Sequence, residues 1–182
     1  MKKLVSKEFI FQENRAGELQ FIGDFDGLYA SHSDPWYQSS NSVEGRDHSK
    51  YYDFSRKRLR AEIIKFKREH VLEVGCGAGF VLNFLADTLP GSSLSGVDIS
   101  PIAIQKARKR FPEYDFFVGD VQSPKFLGGG GQYDVVIFNQ LIWYILQNLN
   151  TAVLNAHKLL REGGHFLISQ AFFKEKQRYG VD

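Results

Sequence analysis

The spacing of apolar residues alternates between a strand period and a helix period along most of the chain. Val71, Leu72 and Val74 form a short apolar run that predicts a buried strand. Three glycines at every second position follow, Gly75, Gly77 and Gly79, and then Val81, Leu82, Leu85 and Leu89 fall on one helical face. Residues 95–99 predict a second strand, with Ser100 as a cap and Pro101 at the first position of a helix that stops before Pro112. Residues 115–118 predict a third strand. Residues 133–138 are continuously apolar apart from Asp134, as expected of a strand covered on both faces. Residues 141–146 read as an apolar helix or turn. Asn150 or Thr151 is the expected cap of the next helix, whose inner face carries Val153, Ala156, Leu159 and Leu160. Residues 161–164 end it, and 165–169 form a fifth strand.

Upstream the pattern is weaker. Residues 8–12 and 18–22 flank a polar 14–17 segment and predict a loose hairpin. Asp24 is placed to cap a short helix, and residues 33–49 read as loop. Residues 53–68 predict a helix capped by Asp53 or Ser55, with Leu59, Ile63, Ile64 and Phe66 apolar. Its other face carries Arg56, Lys57, Arg58, Arg60, Lys65, Lys67 and Arg68 against the single acid Glu62. That face is either solvated or meets an acidic substrate or a phosphate backbone. The glycines at 128–131 read as a connector before strand four.

Composition narrows the classes. The chain has 182 residues with 43% hydrophobic positions, enough for one sizeable core and too apolar for a disordered chain. A net charge of +2, from 23 basic and 21 acidic residues, points to neither nucleic acid nor a membrane surface as partner. Cys76 is the only cysteine, so no disulfide framework is expected. It reads as a small residue in the glycine turn rather than a nucleophile. No long apolar run follows Met1-Lys2-Lys3-Leu4, and none elsewhere spans a bilayer, so a cytoplasmic protein is expected.

The candidate chemistry gathers at the predicted strand ends. A glycine turn between strand and helix lies at the carboxyl edge of an open α/β sheet, where ligands bind. The dinucleotide fingerprint needs G-x-G-x-x-G, but position 80 is Phe and the third glycine comes one residue early. Glu73, just before the turn, has no role in a phosphate cradle. The distance from Gly79 to Asp98 suits a carboxylate that accepts both ribose hydroxyls of an adenosine.

Glu-x-Gly-x-Gly-x-Gly over 73–79 resembles the first motif of the class I S-adenosylmethionine-dependent methyltransferases, and residues 53–173 carry the resemblance. It implies a Rossmann-like, doubly wound α/β fold with a mostly parallel sheet of about five strands. The twelve residues from Ala171 to Asp182 are not expected to supply the helix and two strands that finish the family's sheet. Strand five is therefore expected at an exposed edge: bare, covered by the hairpin, or paired with a second copy in a homo-oligomer. The division expected is an N-terminal lid or substrate segment, 1–52, and a cofactor-binding core, 53–182.

The resemblance also implies site roles. Glu73 with Gly75, Cys76, Gly77 and Gly79 would hold the methionine part of the cofactor, Asp98 the ribose with Ile99 beside it, and Asp120 and Val121 the adenine. Asn139, ending strand four, and Tyr144 would face the methyl group and the substrate. No catalytic base stands out among Asn139, Tyr144, His32 and the tyrosines near 51, and no metal set appears. Asp34-Pro35-Trp36 ahead of a tyrosine and basic stretch resembles, over a short span, nodulation-type N-methyltransferases that act on chitooligosaccharides. The substrate does not rest on that span; a small-molecule or saccharide acceptor is expected rather than nucleic acid. Two rivals stand beside this reading. A nicotinamide-dependent oxidoreductase shares Gly75, Gly77 and Asp98 but leaves Glu73 and Asp120 without work. The other is a non-catalytic methyltransferase-like binding module.

Overall fold

The computed structural model describes residues 6–39, 46–126 and 131–171. Three of the four glycines at 128–131 and the chain beyond 171 lie outside them. The N-terminal part forms α1 (Ser6–Ile10), then a hairpin of β1 (Phe11–Glu13) and β2 (Leu19–Phe21) with Phe11 opposite Phe21. The hairpin is where it was expected, but its first strand begins later, because residues 8–10 belong to α1. Asn14 holds the turn, its side-chain oxygen accepting from the N–H groups of Ala16 and Glu18. Next comes α2 (Phe25–Ser31), capped as expected by Asp24, which accepts from the Gly27 N–H at 2.8 Å.

α3 runs from Arg46 to Ile63. It starts before either predicted cap and stops short of residue 68. Asp53 instead pairs with Lys57 one turn on, at 2.7 Å, and Ser55 is buried inside the helix. Beyond Ile63 the chain turns, leaving Ile64 exposed and stacking Phe66 on His165 with ring centroids 3.9 Å apart. Phe66 is thus apolar for a contact outside any helix, which is why periodicity overran the helix end.

The core follows as β3 (His70–Val74), α4 (Phe80–Ala86), β4 (Ser93–Asp98), α5 (Pro101–Arg110), β5 (Asp115–Val118), β6 (Tyr133–Asn139), α6 (Ile142–Ile145), α7 (Leu149–Leu159) and β7 (Leu160–Ser169). The sheet has five strands in the order β5-β4-β3-β6-β7, every neighbouring pair parallel. Alternating side chains feed two cores. Val71, Val135 and Ile137 pack with Leu59, Ile63, Leu82, Leu85 and Ile104 of α3, α4 and α5. Leu72, Val136 and Phe138 pack with Ala152, Ala156 and Leu159 of α7. Helices therefore cover both faces, and β6 is buried at every position, as its unbroken apolar run requires.

Two boundaries differ from expectation. α7 starts at Leu149 with no side-chain cap, so Asn150 and Thr151 lie within it. β7 begins at Leu160 rather than His165. Its register jumps from Tyr133↔Leu160 to Val135↔His165, so residues 161–164 bulge out of the ladder, and Arg161 reaches Asp134 at 3.3 Å. Among the described residues β7 pairs only with β6 and leaves Ile168 half exposed. The hairpin forms its own two-stranded sheet and does not cover that edge, which has no strand partner among the described residues of this chain.

Candidate functional site

The chain order of the strands reverses between β3 and β6, which opens a crevice at their carboxyl ends. The loop from β3 to α4 is bent by positive φ at Gly75, Gly77 and Gly79. It is tied to the neighbouring strand tip: the Gly75 and Cys76 N–H groups donate to the Val97 carbonyl at 2.8 and 3.1 Å. The Gly77 N–H donates to Asp98 Oδ2 at 2.8 Å, and the Ser100 N–H donates to Asp98 Oδ1 at 2.9 Å. Each Asp98 oxygen thus spends one lone pair on backbone and keeps another for a ligand hydroxyl. Ser100 caps α5, accepting from the Ala103 N–H, and its hydroxyl donates to Asp26 on α2.

Burial sets the electrostatics. Glu73 is 1% exposed, and its Oε2 finds no partner among the described residues. Burial pushes its carboxyl up to about 8, and the Asp98 charge adds to that. Burial also raises Asp98, to about 6, against the pull of the two backbone N–H groups. The Cys76 thiol is pushed up by burial and by both carboxylates, so it stays neutral and serves as a small packing group.

The same cavity is lined by Ile99, Asp120 and Val121 beyond β4 and β5, by Asn139 at the end of β6 and by Tyr144 beyond it. Asp120 shapes its own turn, Oδ1 accepting from the Gln122 N–H at 2.9 Å. Asn155 of α7, buried, pins that turn from behind: its amide donates to the carbonyls of Val121 and Ser123, both at 2.8 Å. Asn139 Oδ1 accepts from the Ser55 hydroxyl at 3.4 Å. The next residue, Gln140, takes φ +56, a conformation uncommon outside glycine, where β6 leaves the sheet. Of the residues expected to hold the cofactor or face the substrate, Gly79 alone does not line the cavity. It starts α4, facing Phe111 and Phe116. His32 is also outside, its ring edge against Phe9.

The N-terminal segment, expected as a lid or substrate segment, supplies part of the cavity wall, but the particular rings it contributes were not read from the sequence. Phe21, Phe25, Tyr29 and Trp36 line the cavity. Tyr144 lies 6.4, 5.5 and 5.8 Å from the rings of Phe21, Phe25 and Trp36. The Tyr29 hydroxyl accepts from the Trp36 indole N–H at 2.9 Å and sits so close to Gly77 that a Cβ there would lie 2.3 Å away. Lys106 of α5 donates to the Tyr29 and His32 carbonyls and holds α2 in place. The density of rings between 21 and 37 was the available signal. Hairpin and helix periodicity did not show that they converge. Among the described residues the cavity lining includes three carboxylates, Glu73, Asp98 and Asp120, and no lysine, arginine or histidine. Among the described residues no His, Cys, Asp or Glu cluster suits a metal ion, and no helix is long and apolar enough to cross a membrane.

A glycine loop over acidic strand tips at the switch point of a parallel sheet defines a Rossmann-like site for a cationic nucleoside rather than a polyphosphate. Residues 72–166 match the model of the methyltransferase domain family, more than half of the chain, and the chain belongs to that family of class I, S-adenosylmethionine-dependent methyltransferases. It is 26% identical to Nodulation protein S of Sinorhizobium fredii over 149 residues, covering 81% of this chain and 65% of the relative. It is 30% identical to a malonyl-[acyl-carrier protein] O-methyltransferase of Priestia megaterium over 102 residues, 54% of this chain and 35% of that one. The chain thus spans between about a third and two thirds of these curated relatives. The crystal structure of the N-methyltransferase NodS from Bradyrhizobium japonicum, in complex with S-adenosyl-L-homocysteine, superposes with a TM-score of 0.61 at 23% identity, over 79% of this chain and 72% of that one. A Pyrococcus horikoshii protein superposes with a TM-score of 0.60 at 28% identity, over 79% and 65%.

Proposed function

We propose that the chain binds S-adenosylmethionine in this cavity and transfers its methyl group to a small-molecule or saccharide acceptor held beneath the N-terminal rings. The observation that carries the reading is the buried Glu73 oxygen, without a partner among the described residues, beside Asp98 in a cavity whose described lining has no cationic side chain. A buried acid left so invites a cation, and the methionine ammonium is one. When bound, the cofactor supplies an electrophilic sulfonium methyl. The protein's task is then orientation. Glu73 and the 75–77 backbone hold the amino-acid tail. Asp98 accepts from the ribose hydroxyls. Asp120 would accept from the adenine amine, with Val121 on the same stretch of the cavity wall.

The N-terminal segment acts as a lid. Phe21, Phe25, Trp36 and Tyr144 offer ring faces, and Gln38, Asn139 and Gln140 offer amides. This combination suits an uncharged or amine-bearing acceptor such as a sugar. Burial holds the Tyr144 phenol protonated, so it donates a hydrogen bond and orients the acceptor without taking its proton.

The test is titration of S-adenosylhomocysteine into the wild type and Asp98→Ala. Losing a buried, charged acceptor should weaken binding by about 1.5–3 kcal/mol. Equal affinity would reject the ribose assignment. Tighter binding of a nicotinamide dinucleotide would reject the cofactor. Donor binding without methyl incorporation into any cell-extract component would favour the non-catalytic module.

A further inference from the structure

On the outer side of α3, α4 and α5 lies a cleft of opposite character. Arg56, Arg60 and Arg110 line it around Phe80 and Phe84, below the 33–39 loop. Arg56 and Arg60 stand one turn apart on α3 and share one ring, their guanidinium carbons 5.4 and 5.3 Å from the Phe84 centroid. Arg110, ending α5, lies over Phe80 at 4.5 Å. Stacking on a ring fixes the plane of a guanidinium and leaves its N–H edge available.

Three features single out this cluster. Like charges one turn apart on a helix repel, yet among the described residues the ion pairs take up Lys57, Lys65, Lys67 and Arg161 and none of these three. Asp34, which also lines the cleft, forms no ion pair with them among the described residues; its two oxygens accept from the N–H groups of Gln38 and Ser39. Asp87 also lines the cleft, but is exposed. Finally, Arg56 donates through Nη1 to the Gln38 carbonyl at 2.8 Å, while its buried Nε has no acceptor among the described residues. Arg60 and Arg110 lie in the last turns of their helices, where a cation complements the helix dipole. That accounts for a charge at each end, but not for Arg56 in mid-helix nor for the convergence of all three.

We propose that this cleft binds a phosphate-type oxyanion, at a site that abuts the carboxylate-lined cavity across Gln38, which lines both. A tetrahedral oxyanion offers several acceptors at once, which suits guanidinium forks approaching from two helices. The group is either carried by the methyl acceptor, reaching past Gln38, or belongs to a separate phosphorylated ligand. The first source deepens the acceptor reading above, and the second stands apart from it.

The test uses the full chain saturated with S-adenosylhomocysteine, titrated calorimetrically with inorganic pyrophosphate at fixed ionic strength. One site is expected, and the R60Q/R110Q double variant should weaken it roughly tenfold or more while leaving S-adenosylhomocysteine affinity unchanged. Both side chains are exposed, so the variant is expected to fold; R56Q is the stricter probe, checked by its melting temperature. Glucosamine and glucosamine 6-phosphate then distinguish the sources. If the sugar phosphate binds better than the sugar and the gain vanishes in the double variant, the acceptor carries the phosphate. If the two sugars bind alike while pyrophosphate still binds, a separate ligand does. No binding of millimolar pyrophosphate, or binding indifferent to the double variant, overturns the proposal. Failure of the wild type to bind S-adenosylhomocysteine would count against the donor site and leave the pyrophosphate result standing.

Discussion

Glu73 shows how one residue couples the site to pH. In the cofactor-free protein its carboxyl titrates near 8, above the value of about 4.3 for an unfolded chain. Between those values the native state holds a proton that the unfolded state has lost. The contribution of this group to stability is therefore complete below the lower value and disappears as pH rises through 8. A cationic ligand favours the carboxylate and reverses the shift. S-adenosylhomocysteine, through its ammonium, should thus bind more tightly as pH rises from 6 to 8 and release protons on binding at pH 7. Calorimetry in buffers of different ionisation enthalpy reads that release, and Glu73→Gln should abolish most of it. Proton uptake on binding would contradict the proposed role. Glu73 and Asp98 were legible in the sequence because a carboxylate at a strand end beside a glycine turn has few other uses. Their electrostatics were not, because burial depends on what closes above them.

At the scale of elements, the contact between α2 and the glycine loop joins lid to core. Tyr29 is held by the Trp36 N–H at its hydroxyl and by Lys106 at its carbonyl, so it has little room to withdraw. Gly77→Ala places a methyl against that hydroxyl at a φ of +53. A cost of about 1–3 kcal/mol is expected from the backbone alone, read as a lower melting temperature together with weaker S-adenosylhomocysteine binding. Tyr29→Phe in the same background should recover part of the loss, whereas no recovery would place the strain entirely in the backbone. The helix ends misjudged from the pattern share one cause. Phe66 and Leu160 are apolar because of strand contacts, and periodicity counts such residues toward the nearest helix. Ser55, expected as a cap, instead reaches across to Asn139 and Ser169, a contact between residues far apart in the chain.

For the whole molecule, the described sheet ends at β7 with an unpaired edge and Ile168 half exposed. Such an edge is a template for another strand. Concentration-dependent association is expected in sedimentation velocity, and Ile168→Lys should reduce it without changing S-adenosylhomocysteine affinity. Association unaffected by the lysine would place the contact elsewhere.

The amino-acid sequence determined the order of strands and helices in the core, the glycine turn and the acidic residues at the strand tips. Those depend on short-range period, on the φ freedom of glycine and on the chemistry of single side chains. Only the tertiary structure decided that the rings of Phe21, Phe25, Tyr29 and Trp36 would close over the tips, that Asn155 would brace the Asp120 turn, and that Arg56, Arg60 and Arg110 would share one cleft. Each of these brings together residues distant in sequence, and no local period records which surfaces will meet once the sheet has twisted and the helices have packed.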